Sequence, residues 1–334
     1  MDRLSAMPKA ILDDILARVI EHLFSHCPLI EQLSVEHCYV YDHLSIEDPL
    51  ESLFLHRGIQ QVHIDSPNLK NLCYEPLDFD APLKLNFDSC TTLRSLQLMN
   101  LQSTAIVDKW FVELFSKHPF LESLKIYECC VSERINISST QLKVLVLSYC
   151  SFSEVIVDAP NLLALYCDSS HFKSFISFVR SSNLLEVKVL TAVDFEYFYS
   201  LREFIWNIPQ KILASLSLFI NRSFHEYGYP YLPELQVSSI PPRIKHLEMR
   251  VDPDSNNEAL FGPLMNYLLS SCFPKTISFI YGGCYKFIEF FYDMVMGSKK
   301  GECHCSSSDT KCWWHALKIV NISCSFMTNQ NIDF

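Results

Sequence analysis

The chain has 334 residues, of which 49% are hydrophobic, 19% are charged and only 7 are glycine. This balance is typical of a folded chain and excludes a disordered polyelectrolyte. The formal net charge of -11 excludes general affinity for nucleic acid, which needs clustered Lys and Arg. The sequence has neither a signal-peptide pattern nor an apolar stretch of membrane-spanning length. We therefore expect an intracellular protein, in the cytoplasm or the nucleus, with no membrane or nucleic-acid partner.

The first predicted element is an amphipathic helix within residues 2–18, where a proline near the helix start precedes apolar residues at one-face spacing. The segment resembles the opening of the F-box of plant F-box proteins. In that family this motif docks a Skp-type adaptor of a cullin ubiquitin ligase. The resemblance implies that the adaptor-binding residues are Leu4, Pro8, Ile11, Leu12, Ile15 and Leu16.

The rest of the F-box pattern does not follow this helix. The apolar stripe continues through Val19 and Leu23 directly into residues 26–30, without a segment like L-S-K-R-W-R-x-L-W. Two interpretations stay open. Either the helix docks an adaptor, or it is a fused cap over the first repeat and adaptor binding is weakened or lost.

The centre of the chain repeats the spacing L-x-x-L-x-I-x-x-C. Full copies hold Ile30/Leu33/Val35/Cys38, Leu121/Leu124/Ile126/Cys129 and Leu142/Leu145/Leu147/Cys150, and shorter copies begin at Leu69, Leu93, Leu162, Leu184, Leu213 and Ile244. From Leu69 to Leu184 the steps are 24, 28, 21, 20 and 22 residues. The pattern is similar to a leucine-rich repeat, whose period is about 20 to 29 residues.

A second pattern precedes several repeats. The segments 62–65, 135–138 and 155–158 alternate like short strands, and each ends shortly before the first leucine of a repeat. We expect a second short strand on the outer side of many repeats, with Pro67 and Pro160 at the corners, where a fixed φ and a missing N–H are tolerated. One amphipathic helix is predicted over residues 108–118, with Trp110, Leu114 and Phe115 facing inward.

The carboxy-terminal part begins with a polar, turn-rich break at residues 252–257. We predict a helix over 259–272, a strand over 275–281 and an aromatic helix over 285–296. The segments S-x-C-F-P-K-T-I-S-F and C-W-W-H-A-L-K-I-V-N-I resemble the FBD region of plant F-box proteins. The three resemblances occur in the order that this family uses.

The predicted fold class is α/β. We expect a leucine-rich-repeat solenoid with a curved parallel sheet, short outer strands and irregular helices, together with a short N-terminal helix and an α+β C-terminal cap. The predicted domains are a partial F-box helix at 1–25, leucine-rich repeats at 26–251 and an FBD-like region at 252–334.

Cysteines and histidines are the residues on which an enzyme or metal hypothesis would depend. Cys38, Cys129 and Cys150 occupy the repeat position of a buried Asn or Cys, so they are predicted to be core thiols. Cys303, Cys305, Cys312 and His315 could in principle enclose zinc, but their spacing fits no common pattern. Phosphate loops, nucleophile elbows and dinucleotide fingerprints are missing. No catalytic residue, metal ligand or cofactor is predicted.

The outward positions of the central strands are the predicted target-binding residues. Side chains alternate along a strand, so Leu124 and Ile126 point inward while their neighbours face out. Aromatic and charged residues side by side suit a protein-binding surface. The predicted set is Ser123, Lys125, Tyr127, Val146, Tyr166, Asp168, Glu186 and Lys188.

Two hypotheses for function follow. The resemblance implies a substrate-recognition subunit of a Skp-cullin-F-box ubiquitin ligase, with a Skp-type adaptor and an unknown protein target as partners. The alternative is an adaptor-independent leucine-rich-repeat scaffold that binds proteins and has lost the F-box function.

Overall fold

The structure is a computed structural model. It describes residues 15, 18, 19, 30–36, 41–46, 50–57, 59–76, 84–101, 106–150, 152–169, 175–191, 204–208, 212–220, 243–251, 265, 268, 269, 272–281, 288–294 and 316–324. Internal contacts divide the chain into two compact units, Met1–Leu162 and Leu163–Phe334. Among the described residues, no helix is both long and apolar enough to span a membrane.

The main sheet of the first unit contains one parallel strand per repeat. Its strands, in spatial order, are β1 (Gln32–Glu36), β3 (Ser52–His56), β5 (Asn71–Glu75), β7 (Ser95–Met99), β8 (Ser123–Tyr127) and β10 (Val144–Ser148). The register makes Leu72, Leu96, Leu124 and Leu145 successive partners, and each is at most 2% exposed. Because equivalent leucines stack in one buried row, the repeat prediction is confirmed.

A second set of short parallel strands forms the outer side of the first-unit repeats. The set comprises β2 (Tyr41–Ile46), β4 (Ile59–Ile64) and β6 (Lys84–Asn86), and separately β9 (Arg134–Ser138) and β11 (Glu154–Asp158). Val62, Ile135 and Val155 are each at most 1% exposed. Pro67 and Pro160 lie in the turns that follow β4 and β11. The predicted outer strands and their proline corners are therefore confirmed.

Helix α1 (Asp108–Lys117) lies between β7 and β8. Leu114 is buried as expected, but the fully buried aromatic residue is Phe111, whereas Trp110 and Phe115 are only half-buried. The rings of Trp110 and Phe111 pack edge to face with centroids 5.2 Å apart. Phe111 and Leu114 are three residues apart and share one helix face, so the inward stripe is rotated by one residue from the prediction.

The second unit is also built on parallel strands. They are β12 (Ala164–Ser169), β14 (Glu186–Thr191), β15 (Ile212–Ile220), β16 (Arg243–Val251), β17 (Phe273–Tyr281) and β18 (Ile319–Cys324), with β13 (Phe175–Arg180) outside this row. Val187, Leu216, Leu247 and Ile277 are register partners with 0% exposure. Residues 204–207 and 288–294 are helical. The parallel ladder thus continues through β17 and β18 into the region predicted as a C-terminal cap.

One repeat of the first unit escaped the sequence analysis. Strand β3 carries Leu53 and Leu55, preceded by Leu50, and all three are at most 1% exposed. The segment has the same L-x-x-L-x-L frame, but it precedes Leu69 by only 19 residues, just below the period of about 20 to 29 residues. The frame itself would have found this repeat if the period had been relaxed.

The cysteines of the repeat frame are part of the core. The Sγ of Cys129 donates to the carbonyl of Tyr127 at 3.1 Å, and the Sγ of Cys150 donates to the carbonyl of Ser148 at 3.3 Å. Each thiol also faces a carbonyl of the preceding repeat's strand, Leu98 at 3.8 Å and Ile126 at 3.6 Å. The core-thiol prediction is confirmed for Cys129 and Cys150, whereas Cys38 lies outside the described residues.

Candidate functional site

The outward side chains of β7, β8 and β10 form what we call the first-unit face. The register places Gln97, Lys125 and Val146 in one row across the three strands, and Met99, Tyr127 and Ser148 in the next. Adjacent strands are about 4.8 Å apart, so side chains within a row are neighbours. The face therefore brings together four predicted target-binding residues, Ser123, Lys125, Tyr127 and Val146.

Those four residues differ in accessibility. Ser123, Lys125 and Tyr127 are half-buried, while Val146 is only 6% exposed and forms the floor of the face. Burial raises the pKa of Tyr127, so its hydroxyl stays protonated and remains a hydrogen-bond donor at neutral pH. Polar groups stand above an apolar floor, which is an arrangement common at protein interfaces.

Four residues with left-handed backbone mark the edge where strands end. Arg57, Asn100, Glu128 and Tyr149 have φ values of 50, 58, 52 and 53° and follow directly after β3, β7, β8 and β10. The N–H of Asn100 donates to the carbonyl of Tyr127 at 2.9 Å, and that of Glu128 to Ser148 at 2.8 Å. The strained residues thus extend the ladder by one hydrogen bond while the chain turns.

A buried carboxylate lies beside this edge. The side chain of Glu75 is 7% exposed, and its Oε1 accepts hydrogen bonds from Arg57 Nε at 3.0 Å and Asn100 Nδ2 at 2.7 Å. Its Oε2 is 3.4 Å from His56 Nδ1. Burial, with the Glu75 charge nearby, raises the pKa of the Cys73 thiol to about 12. The cluster is a satisfied polar network whose thiol is protonated and is not a nucleophile.

Sequence analysis missed this cluster. Its members come from three repeats, and the contacts join residues 19 and 25 positions apart. The available signal was the pairing of a histidine and a glutamate at the last outward position of two successive strands, which the register places side by side as His56 and Glu75.

The outward residues of β12 and β14 form what we call the second-unit face. The Tyr166 hydroxyl donates to Glu186 Oε2 at 3.1 Å, and Lys188 Nζ lies 3.4 Å from Glu186 Oε1 and 4.9 Å from the Tyr166 ring centroid. Three predicted target-binding residues are therefore in mutual contact through an ion pair, a hydrogen bond and a cation–π contact. The side chain of Asp168 lies outside the described residues.

The amino-terminal segment contributes three described residues, Ile15, Arg18 and Val19, and all three are helical. Ile15 is 38% exposed and Val19 is 46% exposed. Because they are four residues apart, they lie on one face of the helix. The other predicted adaptor-binding residues, Leu4, Pro8, Ile11, Leu12 and Leu16, lie outside the described residues.

No metal centre is found in the part of the chain that the structure describes, where no three His, Cys, Asp or Glu side chains come together suitably. The group weighed as zinc ligands, Cys303, Cys305, Cys312 and His315, lies outside that part. Among the described cysteines, Cys73, Cys90, Cys129, Cys130 and Cys272 are free thiols.

Strands stacked one per repeat, with apolar rows inside and polar rows outside, define a leucine-rich-repeat solenoid. Residues 78–198 match a family model described as FBD-associated F-box protein At5g56370, LRR repeats. The match covers about a third of the chain and supports the leucine-rich-repeat assignment of that part. Comparisons with curated proteins and with solved structures gave no significant match.

Proposed function

We propose that this protein is the substrate-recognition subunit of a Skp-cullin-F-box ubiquitin ligase in the cytoplasm or nucleus. The observation that carries the proposal is the match of residues 78–198 to the repeats of an FBD-associated F-box protein. Repeat solenoids bind partners through extended surfaces, which suits recognition of a protein target. In this role the chain catalyses no bond change, and it holds a target lysine near the ubiquitin carrier by proximity.

The adaptor side of the proposal depends on the amino-terminal helix. Ile15 belongs to the F-box-like motif, and Val19 continues the same helix face one turn further. Both side chains keep more than a third of their surface in water. Apolar side chains aligned on a helix gain stability when a partner's groove covers them, which is the mode of contact expected for a Skp-type adaptor.

Capture of a purified Skp-type adaptor by the purified full chain tests this proposal. Val19→Asp is expected to weaken capture by about tenfold or more, because the new carboxylate loses water in an apolar interface. Val112→Asp on α1 is the matched control: the same change at a helical valine that is 60% exposed. A folded wild-type chain that captures no adaptor at micromolar concentration would contradict the proposal.

One observation favours the second candidate function, an adaptor-independent protein-binding scaffold. Strand β1 begins at Gln32 and pairs in parallel with β3, so repeat structure starts soon after the helix and the rest of the F-box pattern has no place between them. This candidate predicts partners that bind without adaptor and are lost in the triple variant Lys125→Ala/Tyr127→Ala/Tyr166→Ala. Partner binding that is unchanged in this variant would refute it.

A further inference from the structure

Most of the described Lys and Arg side chains of the first unit form ion pairs with carboxylates. Arg57 pairs with Glu75, and Arg94 and Lys143 share Glu122. Further described pairs of this kind are Lys70–Glu51, Lys109–Glu113, Lys117–Asp88 and Arg134–Glu154. By contrast, Lys125 has no ion-pair partner among the residues that the structure describes, and it stands in the middle row of the first-unit face.

The groups around Lys125 are hydrogen-bond donors. Ser95 and Ser123 are register partners on one side, and Tyr127 follows on the other at the next outward position of β8. Gln97, the direct neighbour of Lys125 in its row, adds an amide whose Nε2 donates to the weak acceptor Met99 Sδ at 3.2 Å. An oxyanion placed over Lys125 would therefore meet an ammonium group, hydroxyls and an amide within one small area.

Two carboxylates near this area in the ladder are already bound by other groups. Glu122 precedes Ser123 and is bound by Arg94 and Lys143, with Lys143 Nζ at 2.8 Å. Glu75 is bound by Arg57, Asn100 and His56. Among the described residues neither carboxylate pairs with Lys125, so its positive charge is available to a partner.

The second-unit face differs in this respect. Lys188 is paired with Glu186 and also lies over the Tyr166 ring. An incoming anion would have to displace these partners. Of the two lysines on these two faces, Lys125 is therefore the one without an ion-pair partner among the described residues.

We propose that Lys125 is the anchor for an acidic side chain, a carboxylate or a phosphate, carried by the target segment that lies across β7, β8 and β10. The proposal deepens the proposed function and rests on it for the statement that the partner is a protein. A charge-assisted hydrogen bond from the ammonium group fixes the acid, and the hydroxyls of Ser95 and Ser123 donate to its remaining lone pairs.

Random dodecapeptides displayed on phage and selected on the immobilised full chain provide the probe. We expect the enriched peptides to share an Asp or Glu at one position. The best peptide is then synthesised with its acid, with Ser and with phosphoserine at that position. Replacing the acid by Ser should weaken binding about tenfold, the loss of one charge-assisted bond. Tighter binding of the phosphoserine peptide identifies phosphate as the preferred source of the charge, and weaker binding identifies carboxylate.

Variants of the chain complete the test. Lys125→Gln should weaken the acidic peptide about tenfold, while Lys125→Arg keeps the charge and stays within about threefold. Lys84→Gln is the matched control, an exposed lysine on β6 with no ion-pair partner among the described residues, and should change nothing. Selection on Lys125→Glu should enrich Lys and Arg instead of acids.

The proposal is overturned if no peptide is enriched, if enriched peptides lack a shared acid, or if Lys125→Gln binds the acidic peptide as wild type does. Adaptor capture, measured alongside peptide binding, separates failure of the Lys125 anchor from failure of the proposed function. Lys125→Gln should capture adaptor as the wild-type chain does. A chain that keeps the acidic peptide preference but captures no adaptor retains the anchor and loses the ligase role. A chain that captures adaptor but shows no preference for acidic peptides retains the ligase role and loses the anchor.

Discussion

Replacing Glu75 by Gln removes a buried charge that three donors surround. The substitution keeps the shape of the side chain and one acceptor oxygen, so it changes charge and hydrogen bonding without opening a cavity. Arg57 Nε at 3.0 Å and Asn100 Nδ2 at 2.7 Å both donate to the same carboxylate oxygen. In the variant at least one of these donors, or His56, faces an amide nitrogen instead.

The size of the expected stability loss depends on how exposed the partners of Glu75 are to water. Breaking a fully buried ion pair costs about 3–5 kcal/mol. The Arg57 side chain, however, is 56% exposed, so water screens part of the interaction and solvates the guanidinium when its partner is lost. Hydrogen bonds to a charged group are worth about 1.5–3 kcal/mol each, and Gln retains a fraction of them. We expect Glu75→Gln to lower the free energy of unfolding by about 1–3 kcal/mol.

Urea unfolding followed by circular dichroism measures this loss, with Glu51→Gln as the matched control. Glu51 makes an ion pair with Lys70, but both side chains are nearly half exposed, at 46% and 44%. Removal of that charge should cost less than about 1 kcal/mol. Equal losses for the two variants, or a larger loss for Glu51→Gln, would refute the argument that burial makes the Glu75 network important for stability.

Three further predictions concern the repeats. Leu184→Ala should lower the free energy of unfolding in urea by about 2–5 kcal/mol, because this side chain is 0% exposed. The same change at its neighbour Leu185, which is 50% exposed, should lower it by less than about 1 kcal/mol. Similar losses for the two variants would contradict the assignment of Leu184 to the buried row. Glu128→Val should lower the free energy of unfolding by about 1–2 kcal/mol, because a β-branched residue resists a φ of 52°. Glu128→Gly should not lower it, because glycine adopts a positive φ readily. A Val variant of wild-type stability would contradict the left-handed turn. Burial raises the pKa of the Cys129 thiol to about 12, so iodoacetamide at pH 8 should label the half-buried Cys130 before Cys129, as peptide mass spectrometry would show. The pKa of the Cys129 thiol is about 9 in the unfolded chain and about 12 in the folded one, so the unfolded thiol ionises first. The stability gained by burying the neutral thiol is therefore complete at neutral pH and is lost as the pH rises from about 9 towards 12.

The apolar rows were readable from sequence because they depend on spacing within one repeat. Leu121, Leu124 and Ile126 are close in the chain, and their alternation alone determines that they face the core. The outer strands at β4, β9 and β11 were predicted for the same reason. The phase of α1 was missed by one residue because both Trp110 and Phe111 suit an apolar face, and only packing in three dimensions buries Phe111 completely.

Contacts between repeats were beyond the reach of the sequence pattern. The Glu75 network joins side chains from three repeats, and its geometry depends on the left-handed backbone at Asn100 and at Arg57, a residue type that does not usually signal a positive φ. The continuation of the ladder into β17 and β18 was hidden in the same way, because a strand's partner is a long-range property. The pairing of Lys188 with Glu186 and the isolation of Lys125 likewise appear only in the folded chain.

Hydrogen exchange of the full chain, measured with and without a purified Skp-type adaptor, tests the central claim most directly, since it reports both binding and its location. The account predicts new protection confined to the amino-terminal segment that contains Ile15 and Val19, with the amides of β7, β8 and β10 unchanged because that face is kept for the target. Unchanged exchange throughout the chain, or protection on the first-unit face instead of the helix, would contradict it.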